Sequence, residues 1–186
     1  MLQAYLVDFD GTLADTGDAN YLAYAAALHE VGVAIDREQF DSQAFGRNWR
    51  QFLPVLLKDH ACDADPAAVA ARKAVHYRAA AANIRFNDAL IFLLQHRGEQ
   101  TRAALVTSAS AANVGAALAS RANLRQLFDA IVTGDDVSRH KPDPQGYEIA
   151  AKLLRVEAEH CLVLEDSIPG IEAGMAFGAQ VLKISF

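Results

Sequence analysis

The stretch Ala4-Tyr5-Leu6-Val7-Asp8-Phe9-Asp10-Gly11-Thr12-Leu13 decides how this chain folds. Its first four residues are an apolar run short enough for a buried strand, and Gly11-Thr12, just past the second acid, read as a turn. Side chains alternate across a strand, so Asp8 and Asp10 start out on the same side while Phe9 points away. Two carboxylates thus meet at the carboxyl end of a strand. Like charges a few ångströms apart in a partly dry site repel, so the pair calls for a cation beside it or a proton on one member. An Asx-type turn leaving a strand would use the same residues, and segments farther along the chain separate the two readings.

Past Thr12 the apolar period becomes helical. Tyr21, Tyr24, Ala25, Leu28 and Val31 predict a helix over about residues 19–31, with Asp15 or Asp18 as its cap and Gly32 as its end. Alanine-rich helical segments continue to about residue 82 without a strand pattern. They break near Gly46 and at Asp63-Ala64-Asp65-Pro66, where Asp65 suits an N-cap and Pro66 a first helical residue. From Asn87 onward strand and helix alternate: helix 88–96, strand 103–106, helix 111–120, strand 128–132, helix 144–154, strand 161–164, helix 168–177 and strand 180–184. That rhythm predicts an α/β fold, a parallel sheet with helices on both faces. Residues 16–85 are then an all-helical insertion after the first strand, and 1–15 with 86–186 form the core.

Composition narrows the partners. The 186 residues are 52% hydrophobic and 22% charged, ordinary for a globular chain able to bury a core. With 17 basic against 23 acidic residues the net charge is -6, which argues against nucleic acid or an anionic membrane as partner. An anionic small molecule would need a local basic pocket or a metal. No run approaches the ~20 apolar residues of a membrane span, and the N-terminus lacks a signal-type pattern, so a cytoplasmic protein is expected. Cys62 and Cys161 read as reduced structural thiols without metal-ligand spacing.

Open α/β sheets bind ligands outside the carboxyl ends of their strands. The first predicted strand ends in Asp8 and Asp10, and the second in Thr107-Ser108, hydroxyls beside the exposed amides of a helix start. Beyond the third lies His140-Lys141-Pro142-Asp143-Pro144, and the fourth ends in Glu165-Asp166-Ser167. Taken singly these suit a helix cap, a solvated lysine and an acidic helix start. Together, at one rim, they supply carboxylates for one divalent cation and a hydroxyl and a lysine for a phosphate.

The segments D-F-D-G-T-L (8–13), L-V-T-S-A-S (105–110), H-K-P-D-P (140–144) and L-E-D-S-I-P-G-I-E-A-G (164–174) resemble the four ordered motifs of the haloacid dehalogenase-like hydrolase superfamily. The likeness is to its branch of β-phosphoglucomutases and small-molecule phosphatases, which carry a helical cap after the first strand. It implies a Rossmann-like core and Mg2+-dependent phosphoryl transfer through an aspartyl-phosphate. Asp8 would be the nucleophile, and Asp10 the acid that protonates the leaving oxygen and then activates water. Mg2+ would be held by Asp8, the backbone carbonyl of Asp10 and Asp166, with Glu165 as a partner just outside the ligand set. Ser108 and Lys141 match the phosphate-holding positions; whether Thr107 or Ser108 faces the phosphate depends on the strand's register, with Ser108 preferred.

Departures from the family pattern sharpen the expectation. An acid at Asp10 disfavours dehalogenation, and neither Lys58 nor Lys73 has a setting that matches a Schiff-base lysine. Asn20 stands where the mutase carries a cap-hinge histidine, which puts a phosphatase ahead of a sugar phosphomutase. In the insertion, Phe45-Gly46-Arg47-Asn48-Trp49-Arg50 offers a glycine, two guanidiniums and an indole, making Arg47 and Arg50 candidates for reading the substrate. A helix start with solvated arginines and a core Trp49 fits the same residues. Hinges are expected near residues 15–18 and 84–88, and an apolar edge over 181–186 that is either open to pairing or covered by the helix near Ile168. The expected protein is a monomeric or homodimeric phosphatase of small phosphomonoesters such as sugar phosphates. The alternatives are a mutase and a non-catalytic metabolite-binding protein.

Overall fold

The computed structural model describes residues 1–44, 47–184 and 186. In chain order the elements are β1 (Ala4–Val7), β2 (Ala14–Asp15), α1 (Gly17–His29), α2 (Arg37–Gln43), α3 (Trp49–Asp59), α4 (Pro66–Ala80), β3 (Arg85–Phe86), α5 (Asp88–Gln95), β4 (Arg102–Val106), α6 (Ala111–Ala119), β5 (Ala130–Val132), α7 (Gln145–Leu154), β6 (Cys161–Glu165), α8 (Ile168–Phe177) and β7 (Gln180–Lys183). Five strands form one parallel sheet in the order β5-β4-β1-β6-β7. The alternation read from the sequence builds its two faces. Ala4 and Leu6 of β1, Ala104 and Val106 of β4, and Val163 of β6 point into one core, closed by Tyr147 and Leu154 of α7 and Ala173 of α8. Val7, Ala103, Leu105 and Leu164 point the other way, against Leu90 and Leu94 of α5 and Val114 and Leu118 of α6. Helices therefore cover both faces, and the parallel register brings every strand's carboxyl end to the same rim.

Helices α1 to α4 lie between β2 and β3 and carry a core of their own, built around Tyr24, Leu28, Phe40, Phe52, Leu53 and Leu56. Asp65 caps α4 by accepting from the Ala67 amide, with Pro66 at its first position, as its sequence implies. The start of α1 differs from expectation. Its N-cap is Thr16 rather than Asp15 or Asp18, and the Thr16 hydroxyl donates instead to Asp10. Asp15 is drawn into β2, which pairs antiparallel with β3, and its carboxylate meets Arg85; Asp18 turns outward to Arg37. This two-residue ribbon, at the residues expected to hold hinges, is too short to leave a period in the sequence. Helix α1 ends at His29, with Gly32 in the left-handed region just beyond.

Among the described residues β7 is an edge strand, paired with β6. Its two faces divide the alternatives left open for it: Val181 packs against α8 at Gly174, while Leu182 is half exposed. Cys62 and Cys161 are both free thiols. No helix among the described residues is long and apolar enough to cross a membrane.

Candidate active site

Asp8 follows the last residue of β1, Thr107 and Ser108 follow β4, Lys141 lies in the loop after β5, and Glu165 closes β6 with Asp166 next to it. Register makes them neighbours, because Val7 pairs with Leu105 on one side and Leu164 on the other. The Lys141 Nζ sits 2.6 Å from Asp8 Oδ1 and 2.6 Å from Glu165 Oε1, and 3.3 Å from the Val106 carbonyl. Burial opposes the ammonium, but Asp8, Tyr147 and Glu165 outweigh it and hold the Lys141 pKa well above the ordinary value. Asp8 is pushed up by burial first and by Glu165 second, with Lys141 pulling against both. Glu165 is 0% exposed and its oxygens are committed: besides Lys141, they accept from the Ser167 amide (2.8 Å), the Ser167 hydroxyl (2.9 Å) and the Tyr147 hydroxyl (3.4 Å).

Asp8, Glu165 and Asp166 bring carboxylate oxygens within 4.8 Å of one another. Burial and Glu165 lift Asp166 to about 6. An all-oxygen, crowded carboxylate set of this kind fits a hard divalent cation such as Mg2+. Because Glu165 is spent on Lys141 and the start of α8, Asp8 and Asp166 are the side chains of this cluster that could reach a cation. The Asp8–Thr12 turn can pass so close to Asp166 only at a glycine: Gly11 has φ +89°, and a Cβ there would lie 2.2 Å from Asp166 Oδ2.

The Asp10 carboxylate does not belong to that cluster. The strand ends at Val7, so alternation no longer governs residue 10, and its side chain turns toward the helical segment. It accepts from the Thr16 hydroxyl, from Asn20 Nδ2 at 3.1 Å and from Thr107 Oγ1 at 3.3 Å. Thr107 Oγ1 also accepts from the Ala109 amide at 3.0 Å. Its hydroxyl is thereby committed, whereas Ser108 lines the cavity beside the rim.

That cavity, of about 260 Å³, lies between the rim and helices α1 to α4. Asp10, Asn20, Ser108, Tyr24, Trp49 and Arg47 are among the residues that line it. Arg47 is exposed and reaches the Gln43 carbonyl at 3.4 Å. Arg50 stacks on Trp49 with its guanidinium 4.5 Å from the ring centroid and pairs with Asp135 at 3.3 Å. Trp49 lines the cavity and also packs on the core of the helical segment. Phe45 and Gly46 lie outside the described residues.

Sequence reasoning missed the setting of Lys73. The residue is 2% exposed on α4, its Nζ donates to Asn20 Oδ1 at 2.6 Å, and the Tyr77 and Tyr24 rings flank it at 4.1 and 4.8 Å. Burial lowers it from the ordinary 10.5 to about 7, against a raising pull from Asp10. The available signal was its place between Val69 and Tyr77 at helical spacing, a lysine within a buried apolar stripe. Lys58, by contrast, is exposed.

The sequence model of haloacid dehalogenase-like hydrolases matches residues 5–184, a span that contains every rim residue described above. The chain belongs to this family. This haloacid dehalogenase-like hydrolase is 35% identical over 183 residues to the validoxylamine A 7'-phosphate phosphatase of Streptomyces hygroscopicus subsp. limoneus, covering 96% of this chain and 83% of that one. It is 27% identical over 179 residues to the fructose-1-phosphate phosphatase YqaB of Escherichia coli K12, covering 96% and 94%. Among solved structures it is similar to CbbY from Rhodobacter sphaeroides in complex with phosphate, at 26% identity and a TM-score of 0.92 over 100% of this chain and 87% of that one. A mutant of CbbY has been solved with xylulose-(1,5)-bisphosphate, and there the TM-score is 0.91 at 26% identity, with the same coverage.

Proposed function

We propose that this hydrolase is a Mg2+-dependent phosphatase of small phosphorylated carbohydrates, acting through an aspartyl-phosphate on Asp8. The observation that carries the reading is Lys141, a buried ammonium held at once by Asp8 and Glu165 at the rim whose Asp10 and Ser108 line a cavity of about 260 Å³. The phosphatases among the relatives support hydrolysis of a phosphate ester. Asp8 attacks phosphorus as the bond to the sugar oxygen breaks, and Asp10 gives that oxygen its proton. Asp10 then takes a proton from the water that attacks the aspartyl-phosphate, which releases inorganic phosphate and restores Asp8. Two of the three groups around Asp10 are hydroxyls, able to accept from its protonated form and to donate to its ionised form, so one shell serves both halves of the cycle.

Lys141 offsets charge on the transferring group and favours the ionised form of Asp8, while Ser108 helps to hold the phosphoryl oxygens. Asp8, the Asp10 backbone carbonyl and Asp166 would hold Mg2+, which when bound neutralises phosphate charge. Residues 16–85 act as a cap whose Arg47, Arg50 and Asn20 face the substrate and whose closure excludes water.

The test is release of inorganic phosphate from a panel of sugar phosphates, with Mg2+ and with EDTA, by the wild type and by Asp8→Asn. Turnover that needs the metal and falls by ~10^4-fold or more in Asp8→Asn is the expected result. Full activity in Asp8→Asn would overturn the aspartyl-phosphate route, and isomerised sugar phosphate in place of free phosphate would make the enzyme a mutase.

A further inference from the structure

One hydrogen-bond chain runs from the helical segment to Asp10 through the core. Asn48, the N-cap of α3, is 1% exposed. Its Oδ1 accepts from the Arg50 amide at 3.0 Å, as a cap should, which leaves Nδ2 to donate across the cavity wall to the Ser108 carbonyl at 2.8 Å. The Ser108 carbonyl belongs to the same peptide unit as the Ala109 amide. That amide donates to Thr107 Oγ1 at 3.0 Å, and Thr107 Oγ1 donates to Asp10 Oδ2 at 3.3 Å. Hydrogen bonds in series polarise one another, so a donor on the carbonyl end strengthens the amide end and, through it, the hydroxyl's bond to the carboxylate.

The core is shaped to receive this bond. Gly134 lies against it, and a Cβ there would fall 2.3 Å from the Ser108 carbonyl oxygen and 2.5 Å from Asn48 Nδ2. The loop carrying Gly134 is fixed in place, for the Gly134 amide donates to the Ala109 carbonyl at 2.7 Å, and Asp136 accepts from the Thr133 amide and hydroxyl at 2.8 and 2.7 Å. Next to the slot, Arg50 and Asp135 make a second crossing contact.

We propose that Asn48 is a positioning residue, which acts on Asp10 through the Ser108–Ala109 peptide and Thr107 and does so only while the helical segment lies closed on the rim. The proposal rests on the phosphatase reading for Asp10's task but not for the existence of the chain. An open segment withdraws the donor from the Ser108 carbonyl, so Asp10 is set for proton transfer only after the substrate has been enclosed.

Asn48→Asp separates this role from helix capping, because aspartate caps a helix as well as asparagine yet presents an oxygen to the Ser108 carbonyl. On the sugar phosphate that the wild type turns over fastest, kcat is expected to fall about tenfold, the size of one lost hydrogen bond with repulsion added. In a Thr107→Val background, where the chain is already cut, the same substitution should change kcat by less than about twofold. Hydrogen exchange supplies a readout that does not need turnover: the Ala109 amide should lose protection in Asn48→Asp and in Gly134→Ala, which blocks the slot from the core side. Unchanged protection in Asn48→Asp, or equal kcat losses in the two backgrounds, would overturn the proposal. A wild type that releases no phosphate from any ester would defeat the phosphatase reading, and the exchange experiment would still decide the chain.

Discussion

Lys73 and Glu165 show what burial asks of a single charged residue. For Lys73 the folded chain lowers the pKa to about 7 while the unfolded chain keeps it near 10.5, so between those values the unfolded state binds more protons. Stability should therefore rise with pH from about 7 to about 10, by a few kcal/mol in the limit of complete burial. Below 7 both states are protonated and the slope from this residue vanishes. The charged and titratable groups facing it are Asp10, Tyr24 and Tyr77, and both tyrosines are raised far above this window. Lys73→Met is expected to remove that part of the rise, read as urea midpoints between pH 7.5 and 9.5; equal slopes in the two proteins would refute it. Glu165 presents the opposite case, a charge wholly enclosed by its partners. Glu165→Gln takes away half of the Lys141 bridge and is expected to cost about 3 kcal/mol in denaturant unfolding. A loss under about 1 kcal/mol would mean that Asp8 alone satisfies the lysine.

At the scale of elements, the caps are where the sequence speaks most directly. Asp65→Ala removes the acceptor for the Ala67 amide at an exposed helix start and should cost about 1 kcal/mol, a fall of a few degrees in melting temperature. A neutral substitution would show that α4 is held by packing alone. Asp65 was legible because Pro66 follows it and, among the described residues, no charged partner competes for it. Asp15 and Asp18 were misread for the converse reason: by residue type they outrank Thr16 as caps, but tertiary partners, Arg85 and Arg37, claim them. The sheet was legible because each strand is an apolar run ending in polar residues, and those endings are the rim. β2 and β3 were not, since two residues carry no period. The stripe that holds Lys73 left a helical period, but the partners of Lys73 and the reach of Asn48 could not be read, because each depends on which side of a helix meets a neighbour distant in sequence.

For the molecule as a whole, a cation held by the crowded carboxylates at the rim would make folding and binding one equilibrium. Saturating Mg2+ should raise the melting temperature by the equivalent of about 2.7 kcal/mol at a hundredfold excess over Kd, EDTA should reverse the change, and Asp166→Asn should abolish it. A melting curve indifferent to the metal would separate the cluster from any cation. The position of β1 carries a consequence for the order of events in synthesis. Ala4 pairs with Arg102 on one side and Cys161 on the other, with the helical segment made in between. At ~5–20 residues per second the ribosome needs roughly 5–20 s to deliver the first of these partners and longer for the second. Until then this apolar strand, with Asp8 already at its end, has no edge to join, while α1 to α4 can collect around their own core. A cell making this protein must shelter the central strand of the sheet for longer than any other.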